Sequence, residues 1–142
     1  MTKTMINNYA KNKLLPSPEK KKYSRDHILV LLYIYYFKGL LSLQDIQSVL
    51  TPLTDRYFGQ ADIPISDIYR NTFDLAYSQI GRIQDSISEY AEEAGHRFRD
   101  AGEEDRQFLQ LFLLITSLGI DVYIKKRVIE QLIDDCLQPE EP

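Results

Sequence analysis

The residues best equipped for chemistry crowd the start of the chain. Asn7, Asn8, Lys11 and Lys13 lie close together, and Lys20, Lys21, Lys22 and Tyr23 follow a stretch that holds Pro16 and Pro18. An Asn amide both accepts and donates, which matches the edge of adenine. A Lys ammonium neutralises a phosphate, and a Tyr hydroxyl reaches the sugar–phosphate backbone. Amides on a short helix beside a lysine-rich loop are what a nucleic-acid reader needs. Charge agrees, because residues 1–25 hold seven Lys and Arg against Glu19, leaving −10 for the remainder of a chain whose net charge is −4. A basic end on an acidic body directs contact with a polyanion to one face.

Catalytic apparatus is sparse by comparison. His27 and His96 are the two histidines, and neither has metal-type spacing to the other or to Cys136. The sequence has no glycine-rich phosphate loop, nucleophile elbow or paired-histidine zinc motif. No enzymatic activity, metal or cofactor is therefore expected. His27, beside Asp26, reads as a capping or surface residue. Asp85, Glu89, Glu92, Glu93 and Asp100 read as a solvated helix face, and Cys136 as a buried or half-buried structural thiol.

The elements that must position these residues are helical throughout, giving an all-α fold. Thr2 or Thr4 caps a first helix in which Met5, Ile6 and Tyr9 recur at helical spacing, and which Pro16 and Pro18 end. Ser24 caps a nearly all-apolar second helix to Lys38, expected to be the buried axis, with Gly39 left-handed at its end. Ser42 opens a third helix, which Pro52 closes. Residues 54–65 read as a linker pinned by Tyr57, Phe58, Ile63 and Ile65, after a domain over 1–53. A helical region fills 66–138. From Ser66 to Gly102 the apolar positions Tyr69, Phe73, Ala76, Ile80, Ile83, Ile87, Tyr90 and Ala94 alternate steps of four and three, a heptad seam. It joins two subunits into a homodimer or packs on the chain's own C-terminal helices. Those are expected as a pair, one opened by Glu103, Glu104 and Asp105 and one capped by Asp121. The tail after Pro139 is expected to fray.

The other bounds are brief. The single Cys136 excludes an intrachain disulfide and suits a reducing interior, no apolar signal core opens the chain, and the apolar run Phe108 to Ile124 is broken by polar residues short of a membrane span. The expected location is the cytoplasm, away from membranes. A pocket for a small-molecule effector could lie between the long helix and residues 103–137, but no residue names the ligand.

Met5 to Pro16 resembles the recognition helix of MerR-type winged helix-turn-helix regulators, whose pattern is T-I-R-Y-Y-E-x-x-G-L-L-P; Ile6, Tyr9, Leu14, Leu15 and Pro16 match it. Asn7 stands where that pattern has Arg, and Lys13 where it has Gly. Tyr23 to Ile28 resembles the entry to the family's next helix, and Gly39 to Ile46 the turn that follows. The strings Thr2 to Tyr9 and Lys21 to Ser24 are more similar still to an uncharacterised bacterial family, number 1836 among the domains of unknown function, itself MerR-like. The resemblance implies a winged helix-turn-helix core, a first helix that would precede residue 1, and a long dimerising helix after the core. It also implies a transcriptional regulator binding double-stranded DNA, with Asn7 and Asn8 on bases and Tyr9, Lys11, Lys13, Lys20, Lys21, Lys22 and Tyr23 around them. The alternative is a helical interaction module of the same core that has lost DNA binding.

Overall fold

Thr2 opens the first helix, its hydroxyl accepting from the Met5 amide at 3.2 Å, and α1 spans Lys3–Lys11. The computed structural model describes residues 1–138 and is all-helical: α2 is Arg25–Phe37, α3 Leu43–Tyr57, α4 Ile65–Gly95 and α5 Glu103–Cys136. The expected fraying after Pro139 lies outside the described residues.

The chain leaves α1 before either proline is reached. Lys13 adopts a left-handed backbone with φ 61°, its amide donates to Ala10 O, and the Leu14 amide donates to Tyr9 O at 2.9 Å. Those two bonds make a Schellman cap, closed by contact between the buried Leu14 and Tyr9. Glycine takes such a position without steric strain, so Lys13 stands there at a cost of about 1 kcal/mol.

α2 begins at a reciprocal cap between Ser24 and His27. Val30, Tyr33 and Ile34 are buried, but Ile28, Tyr35 and Tyr36 are about half exposed, so α2 is an apolar wall with one side open and not the enclosed axis expected of it. Gly39 does not close it left-handed; the Leu40 and Leu41 amides both turn back to Phe37 O in an ordinary backbone. Pro52 does not end α3 either. Its missing amide costs one helical bond, yet Leu53 and Tyr57 beyond it pack on the core, and that burial carries the helix on to Tyr57. The link to α4 is therefore shorter than expected, residues 58–64.

α4 starts at Ile65, one residue before the expected cap, because Pro64 O accepts from both Asp67 and Ile68. It ends at Gly95, short of Gly102. The Gln110 amide donates to Gly95 O at 3.2 Å and Arg97 O at 2.9 Å, while Phe98 turns left-handed with φ 54°. The two expected C-terminal helices are a single α5 running through Gly119. Asp121 does not cap anything there: Tyr90 Oη donates to it at 3.0 Å and Lys125 Nζ lies 2.8 Å away. As one continuous helix, α5 is also long and apolar enough to cross a membrane by length and composition, a length that the polar interruptions had hidden. Cys136 is exposed, contrary to the buried or half-buried thiol expected.

Two compact units result. The first, Met1–Phe73 with the chain from Val128 onward, has a continuous core of Leu14, Leu15, Val30, Ile34, Leu41, Ile46, Leu50, Ile65 and Ile133. Tyr33 Oη bonds Thr72 Oγ1 at 2.8 Å within it, and burial pushes the Tyr33 hydroxyl above its ordinary pKa.

The second unit, Asp74–Arg127, has Ala94 as its sole buried residue among those described. Its best-defined polar feature is the Tyr90–Asp121–Lys125 chain. The bond from Lys125, then that from Tyr90, holds the Asp121 carboxyl below its ordinary 3.8. A carboxyl depressed on folding lends stability above its unfolded pKa and loses it as pH falls through the folded one. Asp121→Asn should therefore lower the melting temperature at neutral pH, and its gap to the parent should close below pH 3.8. Melting curves of both proteins across that range check it.

Candidate nucleic-acid interface

α1 has two sides with different tasks. Tyr9, 9 % exposed, joins the core and anchors the helix, while Asn7, Asn8 and Lys11 lie exposed on it. Of the residues expected at DNA, Tyr9 is thus the one whose side chain is occupied inside the protein. Lys13, Lys20, Lys21 and Lys22 are exposed, and Tyr23 is 38 % exposed.

The lysine run forms a tight turn. The Lys22 amide donates to Glu19 O at 2.8 Å, these two residues make an antiparallel bridge, and Lys20 and Lys21 between them have φ 47° and 63°. Positive φ at both central residues is the type I′ pattern, which Asn-Gly or Gly-Gly adopts with little strain. Two L residues with Cβ atoms there cost roughly 1–2 kcal/mol apiece. Among the described residues, four non-glycine positions have positive φ, and three of them, Lys13, Lys20 and Lys21, are lysines of this segment. Backbone strain concentrated at charged, exposed side chains points to a role for those side chains.

His27 holds this loop in place. It is 3 % exposed, with its ring between Tyr23 and Phe58 at centroid distances of 5.3 and 4.7 Å, both edge-on. Nδ1 accepts from the Ser24 amide at 3.0 Å and lies 2.8 Å from Ser24 Oγ, so Nε2 carries the proton it donates to Ser17 O at 3.3 Å. One imidazole thereby caps α2 and ties down the Pro16–Ser24 loop. It is a capping residue, as the sequence suggested, but a buried one. From the other side the Asp26 carboxylate accepts from the Gly59 amide at 2.8 Å, and Gly59 has φ 70°, the left-handed conformation that suits glycine.

Two clefts flank the ridge made by Pro16, Ser17 and Phe58. Lys13, Ala10 and Asp55 line one of about 480 Å³, and Lys20, Lys22, Tyr23 and His27 line the other of about 690 Å³. The basic residues after α1 thus border adjoining hollows in one unit. Phe58, Gly59 and Ser17 were not singled out for this site, and in sequence only the glycine after an apolar helix hinted at a turn. The arrangement can bind a polyanion by charge and hydrogen bonding.

The heptad positions divide. Tyr69 and Phe73 are half-buried in the first unit, with ring centroids 4.5 Å apart, Tyr69 against Tyr33 and Phe73 against Tyr36. In the second unit Tyr90 bonds Asp121 and Ala94 is buried, while Ala76, Ile80, Ile83 and Ile87 are exposed. That unit also has a cleft of about 510 Å³ lined by Tyr90, Glu93, Arg97, Phe98 and Ser117.

Comparison with curated proteins returns no match, and neither does comparison with solved structures. Residues 1–72, which hold α1 to α3, the lysine turn, the His27 anchor and the start of α4, match the family described as Domain of unknown function (DUF1836), and the chain belongs to that family.

Proposed function

We propose that this protein is a DNA-binding transcriptional regulator of MerR-like, winged helix-turn-helix type that acts as a homodimer. The observation that carries the reading is the lysine turn: Lys20 and Lys21 occupy two left-handed positions where lysine is a poor choice for stability, exposed beside α1. In this reading α1 enters the major groove, Asn7 and Asn8 face base edges, and Lys11, Lys13, Lys20, Lys21, Lys22 and Tyr23 contact phosphates on either side. Tyr9 contributes by fixing α1 to the core, and the Glu19–Lys22 turn serves as a minimal wing. A two-fold dimer would read a palindromic site.

Fluorescence anisotropy with duplex from the protein's own promoter region, and with random duplex, across a salt series tests it. Tight binding that prefers the promoter and weakens steeply with salt supports the regulator, the slope giving the number of phosphates neutralised. Folded protein that binds neither duplex at low salt refutes it and leaves a helical interaction module.

A further inference from the structure

The second unit cannot be complete as a single copy. Ala94 is its one buried residue among those described, while fourteen large apolar side chains in residues 74–127 are 41–77 % exposed. At roughly 100 Å² apiece, about half of what a large side chain offers, they present on the order of 1,000 Å² or more of apolar surface. Spread over α4, Phe98 and α5, that total is of the order a stable dimer hides, about 800 Å² per partner.

Their spacing says where the cover sits. Phe108, Phe112, Ile115, Gly119 and Val122 follow steps of four, three, four and three along α5, a second heptad seam, and its four apolar side chains are 51–63 % exposed. Leu109, Leu113, Ser117 and Asp121, on other positions of the helix, are half-buried within the unit. Gly119 falls inside this seam. A Cβ there would meet nothing within 4 Å, so no packing in this chain requires glycine in the middle of a 34-residue helix. The same holds for Gly81 in α4, but Gly119 lies on an exposed seam, where the missing side chain lets a helix from another molecule approach closely.

We infer that the α5 seam, Phe108 to Val122, is the surface on which a second copy of this chain packs, α5 against α5, with the α4–α5 pairs of both copies forming a helical bundle. The inference names the partner surface of the homodimer in the functional reading, and its test involves no DNA. A bilayer is the other candidate cover. Against it stand Asp74, Arg82, Asp85, Glu89, Glu92 and Glu93, all exposed on the α4 part of the same unit, which a membrane-buried helix pair would carry into lipid. The α4 seam is the weaker choice, since Tyr90 and Ala94 are already engaged in this unit.

The experiment combines sedimentation with cysteine cross-linking in the full chain. On a Cys136→Ser background, Ile115→Cys should form a disulfide-linked dimer on oxidation, and Ile83→Cys on α4 should not. Gly119→Leu should weaken the dimer about a hundredfold in sedimentation equilibrium, with helical content unchanged by circular dichroism. Cross-linking at 83 without cross-linking at 115 overturns the inference in favour of the α4 seam. A parent chain that sediments as a monomer, or that floats with phosphatidylcholine vesicles, overturns it outright.

Discussion

Replacing Lys20 with Asn and Lys21 with Gly makes the protein more stable and a poorer ligand for DNA. Both residues hold positive φ in the Glu19–Lys22 turn, where Asn-Gly is the sequence that fits. Relieving two left-handed L residues should add about 2 kcal/mol, part of it offset because Gly also loosens the unfolded chain. The melting temperature of a chain this size should rise by roughly 5–10 °C. The same change removes two ammonium groups. If each contacts a phosphate, the logarithmic salt slope falls by about 2, and affinity drops by roughly ten- to a hundredfold whatever the duplex sequence. Lys22→Ala separates the two effects, since no positive φ is found at Lys22: the slope should fall by about 1 with little change in melting. A more stable double variant that binds DNA as tightly as the parent would show that the strain has no part in DNA recognition.

How much of this could be read from the sequence depends on the range of the interaction involved. Local chemistry was legible. Ser24 and Ser42 cap the helices they were assigned to, and Thr2, one of two candidates with Thr4, caps the first, because an N-cap is decided within three residues. The all-helical class followed from apolar periodicity in the same way. What failed was every boundary settled by tertiary contact. Pro52 reads as a stop on local grounds, and only the packing of Leu53 and Tyr57 overrides it. The early end of α4 depends on Gln110, fifteen residues beyond Gly95, taking the carbonyls of Gly95 and Arg97. Asp121 looked like a cap because Tyr90, its partner, is thirty-one residues away.

The candidate site divides along the same line. The exposure of Asn7, Asn8 and the lysines followed from their polarity and the helix period. The turn geometry did not, since two consecutive left-handed positions call for Asn or Gly and not for lysine. Nor did the burial of His27, whose environment is built by Ser17 and Tyr23 of the loop before α2 and by Phe58 after α3. One reading of the heptad pattern on α4 was that it packs on the chain's own helices, and its two ends are engaged within the chain. The exposed seam on α5 was concealed by the apolar character of almost every other position there.

His27→Ala is expected to be a strongly damaging change in the first unit. The imidazole is nearly inaccessible and makes contact on all sides, so its removal acts through three losses at once. A cavity opens between the Tyr23 and Phe58 rings. The Ser24 amide loses the acceptor that completes the α2 cap, and Ser17 O loses its donor. The two partners are only part-buried and can turn to water, so leaving them unpaired costs about 1 kcal/mol; truncation of a large buried ring adds a cavity term of about 2 kcal/mol, so a loss of about 3 kcal/mol is expected. Urea unfolding measures it through a lower midpoint at unchanged slope. His27→Asn should recover part of that, because its side-chain oxygen can still accept at the cap, though it cannot fill the space between the rings or reach Ser17 as well. The loop should also feel the change. With Ser17 untied, the Pro16–Ser24 segment loses its anchor to α2, so a folded His27→Asn should bind DNA more weakly with every lysine still present. Its salt slope should stay close to the parent's, because the charges remain and only their placement is relaxed. A variant as stable as the parent would mean that the Ser24–His27 cap contributes nothing to α2, and a changed slope would mean that His27 itself meets the phosphates.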